Sequence, residues 1–248
     1  MNLNYVTHGD SSNPTLFMVH GFLSCNAQWL PNIPYLSEKY QLVTAELWGH
    51  GQSPLPDEDL TVEGYLEAFE NIRKALDIEK WGVIGQSYAA GLTIRYAIQH
   101  PSVVSKLVVT NSRSALGNLN TNGPRRSTQT KGKRRANNRH MPIHPVYAKR
   151  IPEPTLSALI EAADSTTSEA INRGGKLGTK LASKDLLRDI PCAFAITNGI
   201  YEKSFQKDID DIRAISDIQI VDMHGGHAVN IEAADEFNEF TYGFFDEN

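Results

Sequence analysis

Residues 83–91, which read Val-Ile-Gly-Gln-Ser-Tyr-Ala-Ala-Gly, constrain the fold of this chain more than any other stretch. An apolar run stops at Gly85, and a helical pattern of apolar residues begins after Ser87. This order predicts a strand, a tight turn and a helix, with the serine hydroxyl raised at the apex of the turn. Gly85 and Ala89 flank the serine where strand and helix come close together, although the second position normally holds glycine. A strand-to-helix loop in which Ser87 only caps the helix is the competing interpretation.

Apolar runs and amphipathic stretches alternate along most of the chain. The apolar runs predict strands at 3–6, 15–20, 40–45, 81–84, 105–110, 192–197 and 218–223. The intervening stretches predict helices at 29–40, 61–76, 91–100, 208–214 and 228–245. Strands that alternate with helices indicate an α/β fold, with a mostly parallel central sheet and helices on both of its faces.

The alternation breaks in the middle of the chain. Residues 112–138 are rich in Ser, Asn, Gly and basic residues and show no apolar periodicity, and two short helical stretches follow, the second interrupted by glycines. We therefore expect an α/β core formed by 1–111 and 189–248, with 112–188 inserted over the sheet.

Length, composition and charge exclude several classes of protein. The 248 residues, of which 40% are hydrophobic, suffice for one large α/β domain with an insertion. The net charge of -5 argues against general nucleic-acid binding, and no apolar run approaches the length of a membrane span. The first ten residues lack the features of a signal peptide, and Cys25 and Cys192 are expected to be free thiols, with a disulfide as the minor alternative. We therefore expect a cytoplasmic protein that acts away from membranes.

Two histidines near the C-terminus are candidates for a general base. They lie in His224-Gly225-Gly226-His227, between the last strand and the last helix. A loop at that place lies at the carboxyl edge of the sheet, as does the turn at Ser87, so His227 can reach the serine and activate it. The alternative for His227 is a local hydrogen bond at the start of the helix. His224 is closer to the strand and is expected to be structural.

A base of this kind needs an acidic partner that holds its tautomer. The strand predicted at 192–197 leads into Glu202, which is the first carboxylate after the turn and therefore the candidate acid. A solvent-facing glutamate that favours the helix dipole is the other interpretation of Glu202. Asp208 and Asp222 are the fallback acids.

A tetrahedral intermediate needs two N–H donors close to the nucleophile. Tyr88, which follows the serine, can offer one backbone N–H, and Phe22, at the end of a neighbouring strand, can offer the other. Trp48, Leu23 and Arg125 are weaker candidates for the lining of a substrate pocket, and Trp48 fits a packed core position at least as well.

Positive charge is concentrated in the inserted segment, with no acidic residue between its members: Arg125, Arg126, Lys131, Lys133, Arg134, Arg135 and Arg139. A solvated face, a clamp for an anionic substrate and a nucleic-acid site compete as explanations, and the last is disfavoured because no aromatic residue lies among the charges. His140 and His144 have the spacing of a metal pair, but Pro142 breaks the helix that would align them, so no metal site is expected.

Four segments together resemble the α/β-hydrolase-fold family, in its capped single-domain form. They are His20-Gly21-Phe22, Gly49-His50-Gly51-Gln52-Ser53, Gly85-Gln86-Ser87-Tyr88-Ala89, and Gly226-His227 with Glu232 after it. The resemblance implies a nucleophile elbow at Ser87, the order Ser, Glu, His for the catalytic residues, and a helical cap, or lid, formed by the insertion. Ala89 departs from the family pattern, as does a glutamate at 202 where aspartate is commoner. No catalytic role is assigned to His50.

The function expected from these features is that of a serine hydrolase without cofactor or metal. It would cleave a carboxylic ester, lactone or thioester of a small molecule through an acyl-enzyme. A C–C bond hydrolase or a carboxylate-eliminating lyase of the same fold is one alternative. A non-catalytic ligand-binding protein and an acyltransferase are the others. The sequence leaves open the substrate and the choice between monomer and homodimer.

Overall fold

Strands form wherever the sequence carries a short apolar run. The computed structural model describes residues 2–117, 138–215 and 218–246. Within these ranges the strands are β1 (Tyr5–His8), β2 (Thr15–Val19), β3 (Gln41–Ala45), β4 (Trp81–Gly85), β5 (Val104–Thr110), β6 (Ala193–Gly199) and β7 (Gln219–Met223). They form one sheet in the order β1-β3-β2-β4-β5-β6-β7. Of the six pairings between these strands, only that of β1 with β3 is antiparallel, and β1 lies at an edge of the sheet.

Helices cover both faces of this sheet. In the described ranges they are α1 (Ile33–Leu36), α2 (Val62–Ala75), α3 (Tyr88–Gln99), α4 (Arg113–Leu116), α5 (Thr155–Ser165), α6 (Ser168–Gly178), α7 (Lys203–Ile215), α8 (Val229–Glu232) and α9 (Ala234–Asp246). Short 3-10 turns occur at Asn26–Trp29, Asn138–His140, Pro145–Tyr147 and Lys184–Asp189. None of the helices in these ranges combines the length and the apolar character that crossing a bilayer requires.

The core divides into two layers because side chains alternate across a strand. In β2, Phe17 belongs to the apolar cluster shared with α2 and α3, and its ring lies 4.3 Å from that of Trp81. Its neighbours Leu16 and Met18 belong to the cluster on the other face, which includes Phe237 of α9. The central strands are therefore buried on both faces, which explains why they read as continuous apolar runs.

Helix α2 confirms the clearest helix prediction. Thr61 caps it, since its side chain accepts a hydrogen bond from the Gly64 N–H at 3.0 Å. The predicted apolar face is buried at Tyr65, Leu66, Phe69 and Ile72.

Two other helix predictions were wrong in extent. The stretch 29–40 contains only the turn Asn26–Trp29 at its start and the four-residue α1. Pro31 and Pro34 lack the N–H groups that a continuous helix would need, which accounts for the break. The predicted final helix is divided into α8 and α9 at Ala233.

The described part of the segment between β5 and β6 packs over the carboxyl ends of the strands. Helix α5 contributes Leu159 and Ala162 to a small apolar cluster with Cys25 and Ile231. Helix α6 runs without a break through its glycines, contrary to the interruption expected from the sequence. Both cysteines of the chain are free thiols, as expected.

Candidate active site

Ser87 occupies a sharp turn between β4 and α3. Its backbone has φ 51° and ψ −109°, a strained combination for a residue with a side chain. Gly85 is required there, since a Cβ at this position would lie 2.1 Å from Thr93 Oγ1. Ala89 is fully buried in the first turn of α3, so the structure accommodates the methyl that departs from the usual glycine. The predicted strand, turn and helix are therefore formed.

Ser87, His227 and Glu202 meet at the carboxyl edge of the sheet. His227 Nε2 lies 2.9 Å from Ser87 Oγ, and His227 Nδ1 lies 3.0 Å from Glu202 Oε2. The carboxylate can only accept from the neutral ring, so Nδ1 carries the proton and Nε2 is left to accept the proton of the serine hydroxyl. These three side chains, separated by up to 140 positions in sequence, form one continuous chain of hydrogen bonds.

Neighbouring charges and hydrogen bonds shift the pKa values of His227 and Glu202. The His227 side chain is 43% exposed and the Glu202 side chain 16% exposed. Burial alone would lower the pKa of His227, but the hydrogen bond and charge of Glu202, together with the charge of Glu232, raise it above its ordinary value. Burial would raise the pKa of Glu202, but hydrogen bonds from His227 and Asn111 and the charges of His227 and Arg113 lower it. The contact between Glu202 and His227 therefore favours the ionised form of the Glu202 carboxylate.

Asn111 positions Glu202 and was missed by the sequence reasoning, which used it only as a boundary. Its Nδ2 donates to Glu202 Oε2 at 2.8 Å and to the Gly199 carbonyl at 3.2 Å. Its Oδ1 accepts the Gly199 N–H at 3.0 Å, which fixes the orientation of the amide because that N–H can only donate. Asn111 is fully buried. Its place directly after β5, at the same sheet edge, was the signal available in the sequence.

Glu232 holds the loop that carries His227. Its two carboxylate oxygens accept the N–H of Gly226 at 3.1 Å and the N–H of Ala228 at 3.3 Å. Because these residues flank His227 on either side, the bonds fix the position of the imidazole.

The backbone N–H groups of Phe22 and Tyr88 lie beside the serine. A Cβ on Gly21 would lie 3.0 Å from Ser87 Cβ, so the segment that precedes Phe22 touches the turn. Tyr88 is the first residue of α3, and its N–H therefore has no acceptor within the helix. Neither N–H donates to a backbone acceptor in the ranges 2–117, 138–215 and 218–246. The N–H of Ser87 itself donates to Thr110 Oγ1 at 3.1 Å.

His20 orients the peptide that carries the Phe22 N–H. Its Nε2 accepts the N–H of Leu47 at 3.1 Å, so the proton is on Nδ1, which donates to the Gly21 carbonyl at 2.7 Å. Burial lowers the pKa of His20 to about 4, which keeps the ring neutral. The Gly21 carbonyl and the Phe22 N–H belong to one planar unit, so this bond sets the direction of the donor.

The pocket candidates differ in their placement. Trp48 is buried, and its ring centroid lies 4.4 Å from that of Tyr65. Leu23, directly after Phe22, is buried and has a φ of 56°. Arg125 lies outside the described residues.

The alternatives to the three central residues lie elsewhere. His224 is on the surface, where its Nδ1 lies 3.1 Å from Glu236 Oε1. Asp222 accepts a hydrogen bond from Asn198 Nδ2 at 2.8 Å, and Asp208 lies 4.0 Å from Arg113. In the part of the chain that the structure describes, the ring nitrogens of His227 pair with Glu202 and Ser87 instead.

Most of the basic segment lies outside the described residues. Arg139, at its end, pairs with Asp164, with Nη2 2.6 Å from Oδ2. His144 Nδ1 accepts the N–H of Val146 at 3.1 Å. Across the part of the chain that the structure describes, no group of three or more His, Cys, Asp or Glu side chains could hold a metal ion.

Comparisons with known proteins agree with this architecture. The family model for the α/β hydrolase fold matches residues 14–136. An uncharacterised protein of Mycobacterium bovis is 27% identical over 109 residues, which cover 44% of this chain and 32% of that protein. A 1-acylglycerol-3-phosphate O-acyltransferase of Arabidopsis thaliana is 28% identical over 104 residues, which cover 40% of this chain and 25% of that protein. The matched segment thus spans about a third or less of these relatives.

The likeness to solved structures extends over almost the whole chain. The enol-lactonase from Burkholderia xenovorans superimposes with a TM-score of 0.77 at 18% identity, covering 99% of this chain and 96% of that one. At this identity the superposition shows the fold alone. The chain belongs to the α/β-hydrolase-fold family.

Proposed function

We propose that the chain is a serine hydrolase that cleaves a carboxylic ester, lactone or thioester of a small molecule. The observation that carries this proposal is the unbroken hydrogen-bond chain from Glu202 through His227 to Ser87. The strained backbone of Ser87 adds support, as do the N–H groups of Phe22 and Tyr88, which donate to no backbone acceptor among the described residues. Acyl transfer needs an exposed nucleophile and oxyanion donors.

The reaction would follow the acyl-enzyme route. Ser87 Oγ attacks the carbonyl carbon while His227 Nε2 takes its proton, and Glu202 stabilises the resulting imidazolium. The oxyanion accepts hydrogen bonds from the N–H groups of Phe22 and Tyr88. Collapse expels the alcohol or thiol, which takes the proton from His227. A water that His227 deprotonates then attacks the acyl-enzyme, and the acid is released with Ser87 reprotonated. No cofactor takes part.

Residues 112–188 would act as the cap of this site. In the described part of that segment, α6 lies against both oxyanion residues. The Tyr88 hydroxyl donates to the Gly174 carbonyl at 2.9 Å, and a Cβ on Gly174 would lie 2.5 Å from Phe22 Cε2. A segment in this position would cover the acyl-enzyme and limit the size of the substrates that enter.

The test is covalent labelling with a fluorophosphonate, followed by intact mass. Wild type should gain one adduct and Ser87→Ala none, while His227→Ala and Glu202→Ala should react more slowly. Ser204→Ala, which removes an exposed serine of α7, is the matched control and should label like wild type. No adduct on folded wild type, with folding verified by circular dichroism, would overturn the proposal and favour a non-catalytic ligand-binding protein.

An acyltransferase is the second candidate, favoured by the matched segment of the Arabidopsis acyltransferase. It would form the same acyl-enzyme but transfer the acyl group to an alcohol or amine instead of water. Product analysis in the presence of an added alcohol separates the two: a new ester as the main product indicates transfer, and free acid indicates hydrolysis.

A further inference from the structure

Arg173 lies on α6, beside the residues that flank the serine. The next residue, Gly174, touches the Phe22 ring and accepts the Tyr88 hydroxyl. One turn earlier, Ala170 packs on Gly49, where a Cβ would lie 2.6 Å from Ala170 Cβ. The guanidinium of Arg173 is therefore placed between α6 and the loop that follows β3, close to the carboxyl edge of the sheet.

Among the described residues, the partners of this guanidinium all lie at one corner, at Nη1. Nη1 donates to the Pro56 carbonyl at 2.6 Å and lies 3.5 Å from Oε1 of Glu169, a residue whose side chain is 69% exposed. Nε and Nη2 are buried and have no acceptor among the described residues. The whole side chain is only 11% exposed. A buried donor without an acceptor is costly, so these two N–H groups are the unusual feature.

Nε and Nη2 form the edge of a guanidinium that matches a carboxylate in a bidentate pair. Two other arginines of this chain use that edge. Arg73 donates from Nε and Nη2 to the two oxygens of Glu70, both at 2.9 Å. Arg139 uses the same two atoms on Asp164, at 3.0 and 2.6 Å. Arg173 presents the same edge, buried, without a carboxylate of the described chain against it.

Tyr65 is an aromatic residue that the charge of Arg173 reaches, and Trp48 packs on Tyr65. Trp48 Nε1 is a second buried donor without an acceptor among the described residues, and the Trp48 ring packs on Tyr65. Burial raises the pKa of Tyr65, and the positive charge of Arg173 opposes that rise, which places the guanidinium within electrostatic reach of the tyrosine. Glu169 is on the solvent side and faces Nη1. A ligand that pairs with the Nε and Nη2 donors of Arg173 must therefore bring hydrogen-bond acceptors and negative charge.

We propose that Arg173 binds a carboxylate of the substrate through Nε and Nη2, so that the preferred substrate is an ester, lactone or thioester that carries a free carboxylate. The inference rests on the proposed serine-hydrolase function and names the substrate class of that site. The anchor of Nη1 on Pro56 holds the guanidinium in place, which leaves the bidentate edge preorganised for the ligand. Tyr88 joins this region to the nucleophile, with its backbone beside Ser87 and its hydroxyl on Gly174.

The test compares charged and neutral esters of the same length. The p-nitrophenyl monoesters of dicarboxylic acids from succinate to suberate are paired with p-nitrophenyl esters of the neutral straight-chain acids. Acetate esters of ω-hydroxy acids, paired with acetates of the matching alcohols, cover a carboxylate on the leaving group. We expect Arg173→Met to lower kcat/KM for the best charged ester by about 10- to 100-fold, with little change for its neutral partner. Arg173→Lys keeps the charge without the bidentate edge and should restore only part of the loss.

Lys176→Met is the matched control, since it removes one positive charge from an exposed position of the same helix. It should leave both kinds of ester unchanged. Equal losses on charged and neutral esters after Arg173→Met, or no loss on either, would overturn the carboxylate assignment and leave the serine-hydrolase proposal standing.

Calorimetry with Ser87→Ala makes the assignment independent of turnover. The ligands are the monomethyl esters of the same dicarboxylic acids, each with one free carboxylate, and the acetates of the ω-hydroxy acids. Each ligand is titrated into Ser87→Ala and into Ser87→Ala/Arg173→Met. Binding that disappears in the double variant supports the proposal even if no ester is hydrolysed. Binding of equal strength in both proteins, or binding in neither, contradicts it.

Discussion

At the scale of single residues, the sequence predicts which three side chains meet in the candidate site, but not the groups that hold them in place. Ser87, His227 and Glu202 follow the ends of predicted strands, and parallel strands bring their carboxyl ends to one edge. Asn111 is different, because its role depends on partners 88 and 91 positions away. His20 likewise acts through Leu47, 27 positions along the chain. The neighbouring sequence does not predict which hydrogen-bond partner a given amide or imidazole will find.

Glu202 controls the proton affinity of His227, and this leads to a prediction for the pH profile. His227 acts as a base only when neutral, and Glu202 raises its pKa above the ordinary value of 6.5. The acidic limb of kcat/KM should therefore lie above that value. Glu202→Gln removes the charge, so the limb should move to lower pH, while kcat falls by about 10²- to 10⁴-fold because the amide no longer fixes the tautomer. The rate of fluorophosphonate labelling against pH measures the shift of the limb, and ester turnover at saturating substrate measures kcat. A limb that stays in place would contradict the assignment.

At the scale of elements, α6 shows how a helix can depend on glycine. The sequence suggested that its glycines interrupt the helix, since glycine costs about 1 kcal/mol relative to alanine in a helix interior. The helix is continuous because tertiary packing prevails over propensity: Gly174 lets the backbone lie on the Phe22 ring. The opposite error occurred at 29–40, where the apolar pattern predicted one continuous helix and the prolines within it break that helix.

Two adjacent glycines of α6 supply a matched pair of variants. A Cβ at Gly175 meets nothing within 4 Å, so Gly175→Ala should raise the free energy of unfolding by up to about 1 kcal/mol and leave activity unchanged. A Cβ at Gly174 would lie 2.5 Å from Phe22 Cε2. The Phe22 ring cannot easily move away, since Tyr88 stacks on it at 5.4 Å and His50 packs on it at 5.2 Å. Gly174→Ala should therefore lower the free energy of unfolding by about 1–3 kcal/mol and slow the labelling of Ser87. Thermal unfolding and labelling rates check both, and equal behaviour of the two variants would refute the packing argument.

At the scale of the whole molecule, the site depends on bringing the two ends of the chain together. The alternation of strands and helices was sufficient to predict the class of the fold and the edge on which the site lies. It could not predict how the segment after β2 meets the helices after His227, since that contact joins residues about 200 positions apart. The contact is made by buried amide side chains rather than by apolar ones, so the apolar periodicity of the sequence does not predict it.

Four buried amide side chains form this contact: Gln28, Asn32, Asn230 and Asn238. Gln28 Nε2 donates to Asn230 Oδ1 at 2.9 Å, while Asn230 Nδ2 donates to the Gln28 carbonyl at 2.9 Å and to Asn32 Oδ1 at 3.1 Å. Asn230→Ala leaves these three buried groups without a partner, so the free energy of unfolding should fall by about 2–4 kcal/mol. Urea denaturation measures the loss, with Asn71→Ala, an exposed asparagine of α2, as the control expected to stay within about 0.5 kcal/mol. If Asn230→Ala is no less stable than this control, the amide contact does not hold the two segments together, and the apolar clusters alone must hold the segment after β2 against the helices after His227.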